Sequence, residues 1–294
     1  MDFTNDSATV EEEAPDIKAW YPIFSKHTIK TRIMELPDRF SSYLLEDGIV
    51  LPDSVGRHAL GNDMLSDDED EACPAEAGSA ESTTPPTFDE VDRWIQSTLD
   101  DFGGKIMVKI NDKAPTDALW MNCGTLMCNS LASVYMLLKA SERVGESLQD
   151  SDNYLVIRKW ANMFPSMEFR CFISGSNMIG ICQKDVSTFY PFLSGDCLRI
   201  QDVILDFFEE SIKEKLPTPS IVMDVYVDKQ DRVWIVGFSA FGDTTETDAL
   251  LFTWSELTSD APREDCDIIR VVKEESAVLP RNSSVGASRG PSDF

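Results

Sequence analysis

The stretch MDVYVDKQDRVWIVGFSAFGD, residues 223–243, reads as two β-strands around a turn, with Asp224 the one carboxylate inside an otherwise apolar first strand. With Asp228 to Asp231 as the loop, Asp224 falls opposite Ile235. Positions 235, 237 and 239 then share its face, because side-chain direction repeats every two residues. Asp224, Gly237 and Ser239 are thereby aimed at one cation. Magnesium takes hard oxygen ligands, chiefly carboxylates beside substrate phosphates. Gly237 supplies no side chain and Ser239 only a neutral hydroxyl, so the hairpin has the outline of a metal site and too few of its ligands.

Upstream, MEFRCFIS (167–174) and NMIGICQ (177–183) read as strands joined by a Gly175-Ser176 turn, and KIMVKI (105–110) and YLVIRKW (154–160) as two more. Thr87-Phe88-Asp89-Glu90 has the form of a capping box. The apolar stripe Phe88, Val91, Ile95, Leu99 and Phe102, closed by Gly103-Gly104, predicts a helix over 88–102. Further helices are expected over 131–140, over 202–215 with Val203, Phe207 and Ile212 inward, and around 250–257. Residues 19–53 read as a strand and a short helix after an aromatic-rich start, whose Trp20, Tyr21 and Phe24 suit either the surface or the core. Consecutive strands joined by hairpins, with helices interspersed, indicate an α+β fold with mostly antiparallel sheets.

The chain has 294 residues, enough for one large domain or two lobes. Asp and Glu number 52 against 26 Lys and Arg, a net charge of -26, which repels nucleic-acid phosphates and anionic lipid and favours a basic protein surface as partner. Seven cysteines without a C-x-x-C pair predict a reducing compartment, and His27 and His58 are structural or solvated. The acidic amino terminus lacks the pattern of a signal peptide, and no run of 18 apolar residues occurs; a soluble, cytoplasmic monomer is expected. From Gly56 to about Pro86, acidic residues with Ala, Ser, Thr and Pro cannot bury enough apolar area to offset chain entropy, which predicts a disordered insertion. The segment from Glu275 is similarly loose.

Four groups of side chains are candidates for chemistry. Lys109, inside a strand, either snorkels to an edge or meets an anion. Arg158 and Trp160 end the apolar run of β-strand that contains Ile157, which offers a nucleotide base an apolar slot or simply finishes a strand at the surface. Glu168, Arg170, Gln183, Lys184 and Asp185 lie on strands that pair through Gly175-Ser176. Arg170 and Lys184 suit polyphosphate oxygens with Asp185 orienting one of them, and equally suit cross-strand ion pairs. The hairpin with Asp224 is the fourth.

The blocks WYPIF, KINDKAPTDALW, LVIRKW, MEFRCF, IGICQKD, MDVYVD, W-x-x-x-F-x-x-FG and DALLFTW, from about Trp20 to Leu257, resemble the cell-division-cycle protein 123 family in order and spacing. The resemblance implies an ATP-grasp-like, two-lobed fold over residues 15–265. Its amino-terminal lobe would run to about 157 and its carboxyl-terminal lobe over about 158–262, with the acidic insertion at 57–86 and a disordered tail at 270–294. It implies ATP and Mg2+ as cofactors in a cleft between the lobes, and the gamma subunit of eukaryotic translation initiation factor 2 as the partner of an assembly chaperone that supports translation initiation and cell-cycle progression.

Carried over by position, Lys109 becomes a phosphate ligand, Ile157, Arg158 and Trp160 a nucleotide-contacting segment, and Arg170, Lys184 and Asp185 the surroundings of the phosphates. Asp224 becomes the metal ligand. Lys184 stands where the family usually has arginine. Where the family hairpin ends D-F-N-P-F-G, this one has Gly237-Phe238-Ser239-Ala240-Phe241-Gly242. An aspartate and an asparagine are missing, which implies weakened or lost magnesium–ATP binding on a retained scaffold. The alternatives are a divergent paralogue acting as a scaffold, or an ATP-grasp ligase forming an acyl phosphate, whose chemistry needs metal ions across the phosphates.

Overall fold

The computed structural model describes residues 14–52, 54–55, 86–149, 152–244, 247–259 and 268–275. The predicted acidic insertion and most of the predicted tail lie outside them. In chain order the elements are α1 (Ile17–Phe24), β1 (Thr31–Glu35), α2 (Asp38–Leu45), α3 (Asp89–Asp101), β2 (Ile106–Ile110), α4 (Leu131–Ala140) and α5 (Glu142–Ser147). They continue with β3 (Tyr154–Lys159), β4 (Glu168–Ser174), β5 (Asn177–Gln183), α6 (Leu193–Phe207), β6 (Ile221–Val227), β7 (Val233–Ser239), α7 (Trp254–Leu257) and β8 (Ile269–Arg270). These mixed helices and sheets make an α+β fold. The chain divides into two compact units, one from the described parts of Met1–Thr31 and Ala161–Ala287, the other from Arg32–Trp160. Among the described residues no helix is long and apolar enough to cross a membrane.

The Arg32–Trp160 unit holds a three-stranded sheet in the order β1-β3-β2. β2 runs antiparallel to β3, with Val108 opposite Ile157 and Lys109 opposite Val156. Alternation sends Ile106, Val108, Ile110, Leu155 and Ile157 into one core with Val91, Ile95 and Leu99 of α3 and Val134 and Leu138 of α4. The expected capping box at the start of α3 does not form: Phe88 is the N-cap, and no side chain accepts from the first turn. Thr87 lies one position too early to reach it. The stop is as expected, since Gly103 and Gly104 have φ of 82° and 77°, and the Gly104 N–H returns to the Leu99 carbonyl at 2.7 Å.

The other unit is built on a five-stranded sheet in the order β7-β6-β4-β5-β8. One face carries Phe172, Cys182 and Val222 under Ala249, Phe252 and Leu257. The turn between β4 and β5 has φ of 57° at Gly175 and 60° at Ser176, the left-handed pair that suits the twist of a tight hairpin. α6 begins nine residues before the predicted position and breaks into a π-helical turn at Phe208–Ile212. Its buried stripe is Ile200, Ile204, Phe208 and Ile212, whereas Val203 and Phe207, expected inward, are only half-buried. The expected disordered tail starts at 270, yet Ile269–Arg270 pairs parallel to β5, held by the Gln201 side-chain oxygen of α6, which accepts from the N–H groups of Ile268 and Ile269 at 2.9 and 3.1 Å.

The aromatic start forms helix α1, followed by the expected strand β1 and short helix α2, and its Trp20 and Phe24 are core. Trp20 is 4% exposed and Phe24 0%, and their rings meet Phe238 of β7 with centroids 5.3 and 5.7 Å apart. Phe24→Ala should therefore lower stability by about 3–5 kcal/mol in urea unfolding followed by circular dichroism. Ile23→Ala, at a neighbouring position 48% exposed, should cost about 0.5 kcal/mol or less.

Candidate functional site

The hairpin that carries Asp224 differs in register from the sequence reading. Its loop runs from Asp228 to Arg232: the Asp228 N–H reaches the Arg232 carbonyl at 2.9 Å, and the Asp228 carboxylate accepts from the N–H groups of Gln230 and Arg232. Val227 then faces Val233, and Val225 faces Ile235. A bulge between Asp224 and Val225 takes up Val236, so that Asp224 lies opposite Gly237 and Val222 opposite Ser239. Gly237 and Ser239 keep the face of Asp224. Ile235, expected on that face, is fully buried on the other.

Asp224 does not stand open to a ligand. β4 lies beside β6 and sets Arg170 directly across from Asp224. The guanidinium binds the carboxylate through both edges, Nε to Oδ1 at 2.8 Å and Nη2 to Oδ2 at 3.0 Å, and Nη1 donates to the Asp248 carbonyl at 2.8 Å. Lys184, one residue past β5, adds its Nζ 3.1 Å from Asp224 Oδ2 and 3.3 Å from Glu168 Oε2. Side-chain exposures of 6% for Arg170, 13% for Asp224, 15% for Glu168 and 21% for Lys184 leave the group largely shielded from water. Burial pushes the Asp224 carboxyl upward, but the charges of Arg170 and Lys184 and their hydrogen bonds outweigh it and hold it well below the usual carboxylate range. Burial likewise lowers Lys184, yet Asp224 and Glu168 raise it above the ordinary lysine value.

Asp185, expected beside the phosphates, turns its carboxylate to its own loop, accepting from the Ser187 hydroxyl at 2.5 Å and the Tyr190 hydroxyl at 2.7 Å. Arg170, Lys184, Asp185 and Asp224 all belong to the unit with the five-stranded sheet; Lys109, Ile157, Arg158 and Trp160 belong to the other. There, the β2–β3 register puts Lys109 and Arg158 on one sheet face, since Met107 opposes Arg158 and Lys109 opposes Val156. Ile157 points its side chain into the core on the reverse face. Arg158 is 3% exposed, Lys109 is half-buried, and the Trp160 N–H closes on the Lys105 carbonyl at 3.0 Å. The sequence reading set Arg170 with phosphates and Asp224 with metal, and missed that they bind each other. It also missed the Asp248 carbonyl, a backbone acceptor that no side-chain pattern marks.

The donor set does not fit the magnesium ion that the family resemblance implies. Both Asp224 oxygens are engaged by cationic side chains, Gly237 adds no oxygen, and among the described residues no group of three or more His, Cys, Asp or Glu gathers as metal ligands.

The family model described as D123 matches residues 20–294. The chain belongs to the D123 family. A relative from Xenopus laevis, "Translation initiation factor eIF2 assembly protein", is 32% identical over 302 residues, covering 94% of this chain and 88% of the relative. "Cell division cycle protein 123" from Yarrowia lipolytica is 34% identical, covering 92% of this chain and 73% of the relative. Among solved structures, Cdc123 from Schizosaccharomyces pombe superposes with a TM-score of 0.67 at 28% identity, covering 88% of this chain and 95% of that one. The α+β architecture described above is thus that of a D123 protein.

In this D123 chain, removing one partner from a shielded ion pair leaves the other charge uncompensated. Asp224→Asn should destabilise by about 3–5 kcal/mol. Because the folded carboxyl is held below its unfolded value of about 3.9, its contribution is complete above that value and is lost as pH falls towards the folded one. The stability gap between wild type and Asp224→Asn, measured by urea unfolding, should be constant above about pH 5 and shrink below about pH 4.

Proposed function

We propose that this D123 protein assists assembly of eukaryotic translation initiation factor 2 in the cytoplasm, engages its gamma subunit, and acts by binding rather than by catalysis. The observation that carries the reading is the 32% identity, over 94% of the chain, to the Xenopus laevis protein named as an assembly protein of that factor. A net charge of -26 fits a client with a basic surface. ATP is the nucleotide assigned in this reading, with Lys109 and Arg158, which share one face of the three-stranded sheet, as candidates for phosphate contact.

A ligase would need metal ions bridging the phosphates to neutralise developing charge. The carboxylate available for that task, Asp224, is committed to Arg170 and Lys184, and this supports a holding role over acyl-phosphate chemistry. Two measurements test the reading. The full chain should retain purified gamma subunit in a pull-down and raise the yield of assembled factor in a reconstitution; failure of both with folded protein refutes it. Calorimetry should detect ATP with the same affinity in magnesium and in EDTA, and absence of ATP binding removes the nucleotide while leaving the client to be judged by the pull-down.

A further inference from the structure

We propose that the Lys184 ammonium occupies the place of a divalent cation between Glu168 and Asp224, so that the cluster on the five-stranded sheet is a closed, metal-free site. The ammonium bridges the two carboxylates as an ion pair, 3.1 Å from Asp224 Oδ2 and 3.3 Å from Glu168 Oε2. Arg170 meets the same Asp224 from the neighbouring strand at 2.8 and 3.0 Å. Two cations and two carboxylates sum to zero formal charge in a space where no side chain is more than 21% exposed. A divalent ion entering it would face Lys184 and Arg170 without an added anion to offset it, and would have to displace one of them from Asp224.

At Gly237 the backbone leaves open space for a Cβ. The residue lies directly opposite Asp224, and a Cβ built there meets nothing within 4 Å. Its φ lies outside the left-handed range that would call for glycine. A side chain is therefore tolerated at the start of its path across from Asp224, and the chain places none there. The Lys184 ammonium donates to both Glu168 and Asp224 and so bridges the two carboxylates.

The test uses Mn2+ alone with the full chain, read by the electron paramagnetic resonance of the free ion. Acidic residues elsewhere bind Mn2+ weakly, so the informative quantity is a difference. Wild type and Asp224→Asn should give the same isotherm, and the double variant Lys184→Gln, Gly237→Asp should hold one added equivalent. If wild type holds one equivalent more than Asp224→Asn, the cluster is a metal site and the proposal is overturned. If the double variant gains none, Lys184 is not what keeps the metal out, and the assignment is equally overturned. Should Asp224→Asn fail to fold, Glu168→Gln serves in its place with the same expected identity to wild type. The measurement contains no nucleotide and no client, so its failure is separate from failure of the proposed function.

Discussion

A carboxylate in the interior of a β-strand has to be neutralised where it stands, and the unit with the five-stranded sheet is arranged around that requirement at Asp224. β6 carries the charge, β4 answers it with Arg170 directly across the ladder, and the chain just past β5 answers it again with Lys184. Arg170 also donates through Nη1 to the Asp248 carbonyl, which begins the segment that lays Ala249, Phe252 and Leu257 over Phe172, Cys182 and Val222. One ion cluster therefore joins three neighbouring strands to the chain that covers them. Such a cluster adds little net stability against an apolar replacement, since desolvation cancels most of the attraction. Its effect is to fix register: a slip of one residue between β4 and β6 would bury both charges without a partner.

Local pattern made most elements of the fold legible. β3, β4 and β5 and helix α4 fall within a residue of the positions read from alternation and helical period, because their signals lie in the residues themselves. The structure departs from the local pattern where partners far apart in sequence decide the outcome. β4 and β6 are separated by a strand and a helix, so no hairpin announces that Arg170 will face Asp224. The bulge at Val236 inserts a residue that alternation cannot reveal, and the loop closed by Asp228 is one residue longer than its turn chemistry indicated. Trp20 and Phe24 were ambiguous because an aromatic stripe has the same sequence whether water or Phe238 lies across from it.

The candidate site was legible by residue type and not by pairing. Lysine and arginine inside strands signalled unusual surroundings, and Arg158 and Arg170 are indeed buried, at 3% and 5% exposure. Which anion meets each of them depends on tertiary register. For Arg170 the answer is a carboxylate of the chain itself. This separates two meanings of a buried cation: one kept for a ligand, and one already answered from within.

The margins of the five-stranded sheet are also occupied. At one margin Thr28 forms a parallel bridge to Ile235 of β7, with its hydroxyl on the Ile235 carbonyl at 2.7 Å and the His27 carbonyl on the Ile235 N–H at 2.7 Å. At the other, β8 screens part of β5. Unpaired ladder groups at a sheet margin are a template on which foreign strands can grow. At Ile235 on one margin, and at Ile181 and Cys182 on the other, the ladder positions are taken by the unit's own distant segments and are closed to a foreign strand.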